Sequence, residues 1–253
     1  MAVQGVSVLI LLLLSLFGFC LRATYGGDVW HPAHATCYES DATTMGGACG
    51  YSNVDDLGYG ENTTALSYAL FYDGYTCGAC YKIKCDSKYS SSCKAKSIKV
   101  TATNSCPANL PNTPGWCNIP NQHFDLAVNM FKTIAVYEAG IVPVLYKRVP
   151  CKRKGGIKFT FTEAPYLKLV LITNVGGAGD VQAVWVKYSS NDESYWTKLK
   201  KNWGQNWQLH DNVFQGQELQ FQVITSDGKI VTTDEISGWI FEQTKTYDSG
   251  VQF

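Results

Sequence analysis

The order of apolar and polar residues changes character near residue 151. Before it, short stretches alternate with the two-residue period of β-strands and are separated by turns rich in Gly, Asn and Pro. This pattern predicts strands over Ala79–Cys85, Ser97–Thr103 and Val142–Val149, and a tight glycine-dependent turn over Gly46–Tyr51. Short strands of this kind, together with one packed helix, predict a β-barrel.

The principal helix of this half is predicted directly after His123. Apolar residues recur there at near-helical spacing, at Leu126, Met130, Ile134 and Tyr137. They predict a helix over 125–138 with Asp125 as its N-cap, and a shorter helical turn is predicted over 63–71. A second interpretation makes the Asp125 carboxyl a general acid, because the sequence His-Phe-Asp sets it beside an aromatic wall that raises its pKa. The residues themselves leave both roles open.

Beyond a short linker at 152–156, alternation becomes regular over about 95 residues. The predicted strands are Ile157–Thr162, Tyr166–Thr173, Val181–Tyr188, Glu218–Thr225 and Lys229–Thr233. Regular strand–turn spacing of this kind predicts a two-sheet sandwich. The chain therefore divides into a barrel domain at 28–151 and a sandwich domain at 157–253.

Aromatic residues are abundant in the second half. They are Tyr166, Trp185, Tyr188, Trp196, Trp203, Trp207 and Trp239. A sandwich core needs only one or two tryptophans, so some of these rings are candidates for exposure. Alternation sets Trp185 on the face opposite Val184 and Val186. Exposed flat rings suit the apolar C–H faces of a glucan, and the alternative is that they belong to the core and its rim.

Composition excludes several classes of protein. Hydrophobic residues make up 45% of the chain, which excludes disorder, and the formal net charge is zero, which disfavours nucleic acid as a partner. The apolar run Val8–Cys20 predicts a secretory signal peptide over 1–26, and no second run is long enough to span a membrane. A secreted, extracellular protein is expected, with one N-glycosylation sequon at Asn62.

The cysteines support the same division of the chain. Ten are present; Cys20 falls within the signal peptide, and the other nine lie between Cys37 and Cys151. In a secreted chain, Cys77-Gly78-Ala79-Cys80 is interpreted as part of a disulfide framework, because no suitable His partners lie nearby for a zinc site. The first domain is thus expected to be stabilised by disulfides, and the second by its hydrophobic core alone.

Taken together, these stretches resemble the expansins of plant cell walls, specifically the α-type. The matching stretches are His34–Thr36 (HAT), Thr44–Tyr51 (TMGGACGY), Cys77–Cys80 (CGAC) with Cys85, Val100–Asn104 (VTATN), Gly115–Asn118 (GWCN), His123–Leu126 (HFDL), Arg148–Cys151 (RVPC), Leu171–Val181 (LITNVGGAGDV) and Asn202–Trp207 (NWGQNW). The resemblance covers nearly the whole chain after the signal peptide.

The resemblance implies an all-β fold of two domains. The first is expected to be a six-stranded double-psi β-barrel similar to family-45 endoglucanases, and the second an immunoglobulin-like β-sandwich that binds cellulose. The implied disulfides are Cys49–Cys77, Cys80–Cys151, Cys85–Cys93 and Cys106–Cys117. The implied function is loosening of contacts between cellulose and matrix glycans such as xyloglucan at acidic pH, without hydrolysis, by a monomer that needs no cofactor or metal.

The resemblance also implies two sets of site residues. A glycan groove is expected to be lined by Thr36, Tyr38, Asn104, His123 and Asp125. A cellulose platform is expected to consist of Tyr166, Trp203 and, as an additional member, Trp185.

The predicted absence of hydrolysis rests on a missing second carboxylate. An inverting glycosidase needs an acid and a base about 6.5–9.5 Å apart. Asp125 matches the acid position, whereas the strand-end position that carries Asp in bacterial and β-type relatives is Asn104. One alternative is an endoglucanase whose base is Asp41 or Glu39, and another is a wall-binding protein that has lost loosening activity.

The chain departs from the family pattern around Cys37. The family usually has an aromatic residue there, and the loop 39–43 is shorter than usual. Eight of the nine remaining cysteines are paired in the implied scheme, which leaves the Cys37 thiol free. If Thr36 and Tyr38 face the groove, alternation points Cys37 toward the core, so a buried, unpaired thiol is predicted. The alternative is a reactive thiol on the cleft floor.

Overall fold

Six short strands of the first half close into a barrel. The computed structural model describes residues 28–39, 47–109, 113–164, 167–190, 193–211, 213, 215–241 and 245–253. The barrel strands are β1 (His31–Tyr38), β2 (Thr63–Leu66), β3 (Cys80–Cys85), β4 (Ser97–Ser105), β5 (His123–Ala127) and β6 (Val142–Arg148), in the order β1-β5-β2-β4-β3-β6. The pairs β1/β5 and β2/β4 are parallel, and the others are antiparallel.

Alternation along these strands fills the barrel with apolar side chains. Ala35, Ile83, Phe124 and Leu126 are fully buried inside it. The Phe124 ring packs against Tyr81, with ring centroids 5.2 Å apart, and against Tyr146, with centroids 4.8 Å apart. The predicted strands of this half are confirmed, with ends that differ by at most two residues.

The predicted helix over 125–138 is wrong at its beginning and in its length. Residues 123–127 form strand β5, so Asp125 lies in mid-strand and is not an N-cap. The helix, α2, covers only Val128–Ile134 and has Ala127 at its N-cap position. The predicted turn over 63–71 likewise divides into strand β2 and a one-turn helix, α1 (Tyr68–Phe71). In both places, pairing with neighbouring barrel strands outweighs the local helical spacing.

Two sheets of the second half pack face to face. One holds β9 (Ala183–Ser190), β10 (Glu193–Lys198), β13 (Leu219–Ile224) and β14 (Ile230–Thr232), in the order β10-β9-β13-β14. The other holds β7 (Lys158–Ala164), β8 (Leu167–Thr173), β11 (Lys200–Trp203), β12 (Asn206–Gln208) and β15 (Thr246–Asp248), in the order β11-β12-β8-β7-β15. The predicted all-β fold with a barrel and a sandwich is confirmed.

Stacked aromatic rings fill the space between these sheets. Phe159 stacks on Phe221 with centroids 4.6 Å apart, and Phe161 stacks on Trp239 at the same distance. These four side chains are fully buried. Trp207, with 2% of its surface exposed, belongs to the same core.

Disulfides occur in the barrel half, in the four pairs that the resemblance implies. They join Cys49 with Cys77, Cys80 with Cys151, Cys85 with Cys93, and Cys106 with Cys117. A covalent framework therefore supports the barrel, while the sandwich relies on its aromatic core.

Buried polar contacts join the barrel to the sandwich. The Gln205 side chain donates to the carbonyl oxygens of Gly74, at 3.3 Å, and Cys77, at 3.2 Å. Arg148 forms a 3.0 Å ion pair with Asp180, whose side chain is 1% exposed. In the linker, the Arg153 guanidinium contacts the barrel and donates to the Thr101 hydroxyl at 3.1 Å. These contacts fix the two domains relative to each other, and with them the surface that crosses the boundary.

Candidate functional site

Strand register places three of the predicted groove residues in one row across the barrel. Thr36 of β1 pairs with Asp125 of β5, Asp125 pairs with Ala65 of β2, and Ala65 pairs with Asn104 of β4. Directly paired residues project from the same face of a sheet. Because neighbouring strands lie about 4.8 Å apart, the backbones of Asp125 and Asn104 are about 10 Å apart, with the small Ala65 side chain between them.

Hydrogen bonds connect Asp125 to His123 through Thr36. The Thr36 hydroxyl donates to Asp125 Oδ1 at 2.7 Å and lies 2.9 Å from His123 Nε2. A hydroxyl has one proton, so Nε2–H of His123 is the donor to Thr36 while Asp125 is ionised. His123 Nδ1 is buried and has no hydrogen-bond partner among the described residues. These hydrogen bonds are therefore consistent with a neutral imidazole that carries its proton on Nε2.

Burial shifts the pKa values of Asp125 and His123 in opposite directions. It raises the pKa of Asp125 above the usual carboxyl value, against a smaller lowering by the Thr36 hydrogen bond. Burial, helped by the nearby His34, lowers the pKa of His123 to about 4. Desolvation disfavours the charged form of each group. Near pH 5, His123 is thus mostly neutral and Asp125 is held closer to protonation than an exposed aspartate.

The aromatic wall that the sequence suggested for Asp125 is not the adjacent Phe124. Phe124 points into the barrel core and is fully buried, whereas Asp125 projects from the opposite face of β5. The raised pKa therefore comes from general burial in the groove. A period-two strand separates neighbouring residues in this way, and a helix would not.

Asn104 shapes the groove as well as lining it. Its Oδ1 accepts hydrogen bonds from the backbone N–H groups of Ala48 and Ser105, both at 2.9 Å. These bonds hold the turn at Gly47–Cys49 over the row. Tyr38 lies one strand repeat beyond Thr36, is half-buried, and packs against the edge of the barrel core.

Trp203 continues this surface onto the second domain. Its side chain is 47% exposed and lies beside Gly50, where a Cβ would be 3.3 Å from the indole ring. Gly50 also has a φ of +82°, a conformation that favours glycine. Trp203 pairs with Asn206, so it lies on the outward face of the five-stranded sheet, opposite the buried Trp207.

The structure does not bring the other proposed platform residues to Trp203. Trp185 is only partly exposed and lies on the outward face of the four-stranded sheet, so it points away from the surface that carries Trp203. Tyr166 lies outside the described residues. Tyr188, 5% exposed, and the fully buried Trp239 belong to the sandwich core.

Cys37 is unpaired but not fully buried. It packs against the barrel core, on the face that alternation predicts, yet its side chain is partly exposed at the end of β1. The prediction of a buried thiol is therefore wrong in degree, because beyond Ala35 the strand pairs only with β5 and is covered less completely. Burial is still sufficient to raise the pKa of the thiol, with the Asp125 charge adding to the shift.

The two alternative catalytic bases lie away from the row or outside the described residues. Glu39 is exposed, with Oε1 3.4 Å from the Tyr137 hydroxyl. Asp41 lies outside the described residues. Within the described ranges, no group of three His, Cys, Asp or Glu side chains could hold a metal ion, and no helix is long and apolar enough to cross a membrane. The Asn62 side chain is exposed, and its glycosylation stays a prediction.

One residue near the groove was missed by the sequence analysis. Trp116 is 48% exposed, and its ring lies 4.7 Å from that of His34. The motif Gly115-Trp116-Cys117 was recognised, but no role was assigned to its ring. The sequence feature that indicates such a residue is an aromatic side chain next to a cysteine, in a segment without charged residues.

Comparisons with known proteins agree with this architecture. Residues 157–237 match a family model described as the expansin C-terminal domain, and residues 63–146 match one described as lytic transglycolase. A crystal structure of an expansin from Clavibacter michiganensis, in complex with cellohexaose, has a TM-score of 0.64 and 15% identity; the match covers 88% of this chain and 98% of that one.

Plant relatives are much more similar in sequence. Expansin-A22 of Arabidopsis thaliana is 49% identical over 233 residues, which is 88% of this chain and 80% of the relative. Expansin-A13 of Oryza sativa subsp. japonica is 47% identical over 88% of this chain and 87% of its own length. With nearly half of its residues shared over most of its length, and with the barrel and sandwich in the same order, the chain belongs to the plant expansin family, in its α-type branch.

Proposed function

We propose that the groove binds a β-1,4-glucan chain and that the protein loosens plant cell walls without hydrolysis. The observation that carries this is the composition of the four-strand row. Its one carboxyl group is Asp125, and the residue about 10 Å away, at the position available to a second carboxylate, is the amide of Asn104. An amide cannot accept a proton from water as a catalytic base does.

Asp125 serves in this proposal as a hydrogen-bond donor to the glucan. A protonated carboxyl can donate to a sugar oxygen and so compete with the bonds that hold cellulose to a matrix glycan such as xyloglucan. Because burial raises the pKa of Asp125, the protonated fraction increases as pH falls through that raised value. Loosening is therefore expected to be greatest at acidic pH.

Trp203 supplies the stacking part of the same surface. Its half-exposed ring lies beside the turn that Asn104 holds, so one glucan chain can contact both domains. The related Clavibacter protein was crystallised with cellohexaose, which supports a β-1,4-glucan as the ligand. No cofactor enters the proposal.

Further parts of the proposal concern the setting of the protein. We assign residues 1–26 to a cleaved signal peptide, 28–151 to the barrel domain, 152–156 to the linker and 157–253 to the sandwich domain. The protein is secreted to the cell wall, carries a glycan on Asn62, and acts as a monomer. The four disulfides support an oxidising, extracellular location.

Substituting Asp125→Asn tests the role of the carboxyl group. The amide oxygen still accepts the Thr36 hydrogen bond, so the fold is preserved. The amide nitrogen of this variant remains a donor at every pH, so creep of heat-inactivated wall strips should lose its dependence on acidic pH. In Asp125→Ala, which removes the donor, creep at acidic pH is expected to fall about ten-fold, the effect of losing one hydrogen bond of about 1.4 kcal/mol. Creep that still rises as pH falls in Asp125→Asn, or full creep activity of Asp125→Ala, would remove Asp125 from the mechanism.

The pH dependence of stability provides a control for this variant. A carboxyl whose folded pKa is raised destabilises the folded state when it ionises, so wild-type stability falls as pH rises from the ordinary pKa through the raised one. The Asp125→Asn side chain cannot ionise, so this variant does not lose stability as pH rises through that range. Its free energy of unfolding should match the wild type at low pH and exceed it at neutral pH.

Reducing-end release separates the main alternative, an endoglucanase. Incubation with amorphous cellulose or xyloglucan should release no reducing ends above the level of Asp125→Asn. Release that disappears in Asp125→Asn or Glu39→Gln would instead establish hydrolysis. A wall-binding protein without loosening activity would bind cellulose yet give no creep.

A further inference from the structure

A second cleft opens beside the groove and shares two of its residues. It has a volume of about 530 Å³ and is bounded by Thr36 and His123 on the groove side. Its outer wall is formed by Asn121 and by the described residues of the loop that the Cys106–Cys117 disulfide closes, 106–109 and 113–117, including Trp116. We call it the side cleft. Its volume falls in the range of small-ligand sites and exceeds that of a single sugar ring.

The outer wall of the side cleft is held rigidly. Besides the disulfide, Asn109 donates two hydrogen bonds across the loop, from its backbone N–H to Asn118 Oδ1 at 2.8 Å and from its Nδ2 to the Pro114 carbonyl at 3.0 Å. Asn118 Nδ2 donates to the Thr113 carbonyl at 2.8 Å. A Cβ at Gly115 would lie 2.4 Å from Asn109 Nδ2, so the clamp requires glycine there. The described residues of the loop, 106–109 and 113–117, thus present a fixed surface.

This rigid loop holds an indole ring partly in water. Trp116 is 48% exposed and is supported from one side by the His34 ring, 4.7 Å away. It belongs to neither of the two hydrophobic cores. Apolar surface left in water carries a free-energy cost, and a ring held in place beside a cleft can recover it by stacking on a ligand.

The chemistry of the lining selects a neutral ligand. The loop from Cys106 to Cys117 contains no charged residue. On the groove side, the lining consists of the Thr36 hydroxyl and the His123 imidazole, whose pKa is lowered to about 4. Amides, a hydroxyl and an indole are the groups that bind uncharged sugars, whereas a uronic acid would need a cation that this lining lacks among its described residues.

We propose that the side cleft binds a neutral side-chain sugar of a branched β-1,4-glucan whose backbone lies in the groove. This rests on the proposed function, because the backbone must first occupy the row at Thr36 and Asp125. A branch leaving the backbone at Thr36 enters the side cleft and stacks on Trp116. The loop therefore makes the protein prefer a branched matrix glucan over unbranched cellulose.

Calorimetric titration of the full-length protein tests this with two probes. One is a cellotetraose bearing xylosyl branches, and the other is unbranched cellohexaose. Trp116→Ala should weaken binding of the branched probe about ten-fold, as expected for one lost stacking contact, and leave cellohexaose affinity within about two-fold. Trp116→Phe should recover part of the loss, and Tyr195→Ala, an exposed ring on the second domain, should change neither affinity.

The outcomes separate this proposal from the one on which it rests. If Trp116→Ala leaves the branched probe unaffected, or weakens both probes equally, the side cleft is not a branch site although the groove proposal stands. If the wild type binds neither probe, the groove proposal fails and this one with it. An unchanged thermal midpoint of Trp116→Ala establishes that any loss of affinity is local.

Discussion

The barrel and the sandwich of this expansin are stabilised in different ways, and the titratable groups of the candidate site lie in the barrel. Four disulfides fasten the barrel, and its strands carry the hydrogen-bonded chain from Asp125 through Thr36 to His123. The sandwich has no cysteine and places most of its large rings inside. The disulfides thus allow a half-buried carboxyl and a buried imidazole in the barrel, while the sandwich contributes mainly a scaffold and, beside the groove, the exposed ring of Trp203.

The largest expected effect is in the sandwich core. Trp239→Ala removes a fully buried ring that stacks on Phe161 and donates through Nε1 to the Gln217 carbonyl at 2.7 Å. Large-to-small substitution of a buried aromatic costs about 3–5 kcal/mol. Urea unfolding followed by tryptophan fluorescence should show this loss. Trp185→Ala, on the outward sheet face, is the control and should cost less than about 1 kcal/mol.

A smaller loss of stability is expected when a disulfide of the barrel is removed. Replacing both Cys80 and Cys151 with Ala opens a disulfide that spans 71 residues, for which about 2–4 kcal/mol is expected. Removing Cys85 and Cys93 opens a span of only 8 residues and should cost less. Equal shifts in the urea midpoint for the two pairs would contradict the view that chain constraint supports the barrel.

The sequence predicts the strands of both domains better than the arrangement of the site. Phe124 and Leu126 fit a strand, while Leu126, Met130 and Ile134 fit a helix, so local pattern could not decide how Asp125 is held. Its pairing with Thr36 and Ala65 decides it, and those partners are more than 50 residues away. The strand order β1-β5-β2-β4 is not sequential, so the row that ends at Asn104 could not be read from alternation.

The aromatic residues illustrate the same limit in the sandwich. Alternation correctly sets Trp185 opposite Val184 and Val186, but it does not say which sheet a strand joins. Trp185 and Trp203 lie on sheets whose outer faces point in different directions. Only the assembled sandwich, docked on the barrel at Gly50, distinguishes a ring near the groove from one on the far side.

Comparing these two tryptophans sharpens the contrast between the domains. Trp203→Ala should weaken retention on cellulose by about 1–3 kcal/mol, the value of one stacked ring. Trp185→Ala should leave it unchanged, because its face does not continue the groove. Depletion from solution by increasing amounts of cellulose measures both. An equal loss in the two variants would mean that cellulose contacts both sheets of the sandwich.

The smallest effect is expected at Cys37, the barrel cysteine that forms no disulfide. The thiol is unpaired and partly exposed, and burial raises its pKa, so little reactive thiolate forms near neutral pH. Thiol titration of the native protein should therefore label one group slowly, and faster as pH rises. Cys37→Ser should change the free energy of unfolding by less than about 1 kcal/mol, since a half-buried side chain loses little packing. Labelling only after denaturation would show that Cys37 is closed off in solution, and rapid labelling at neutral pH would place it on the open groove floor, beside Asp125 instead of behind it.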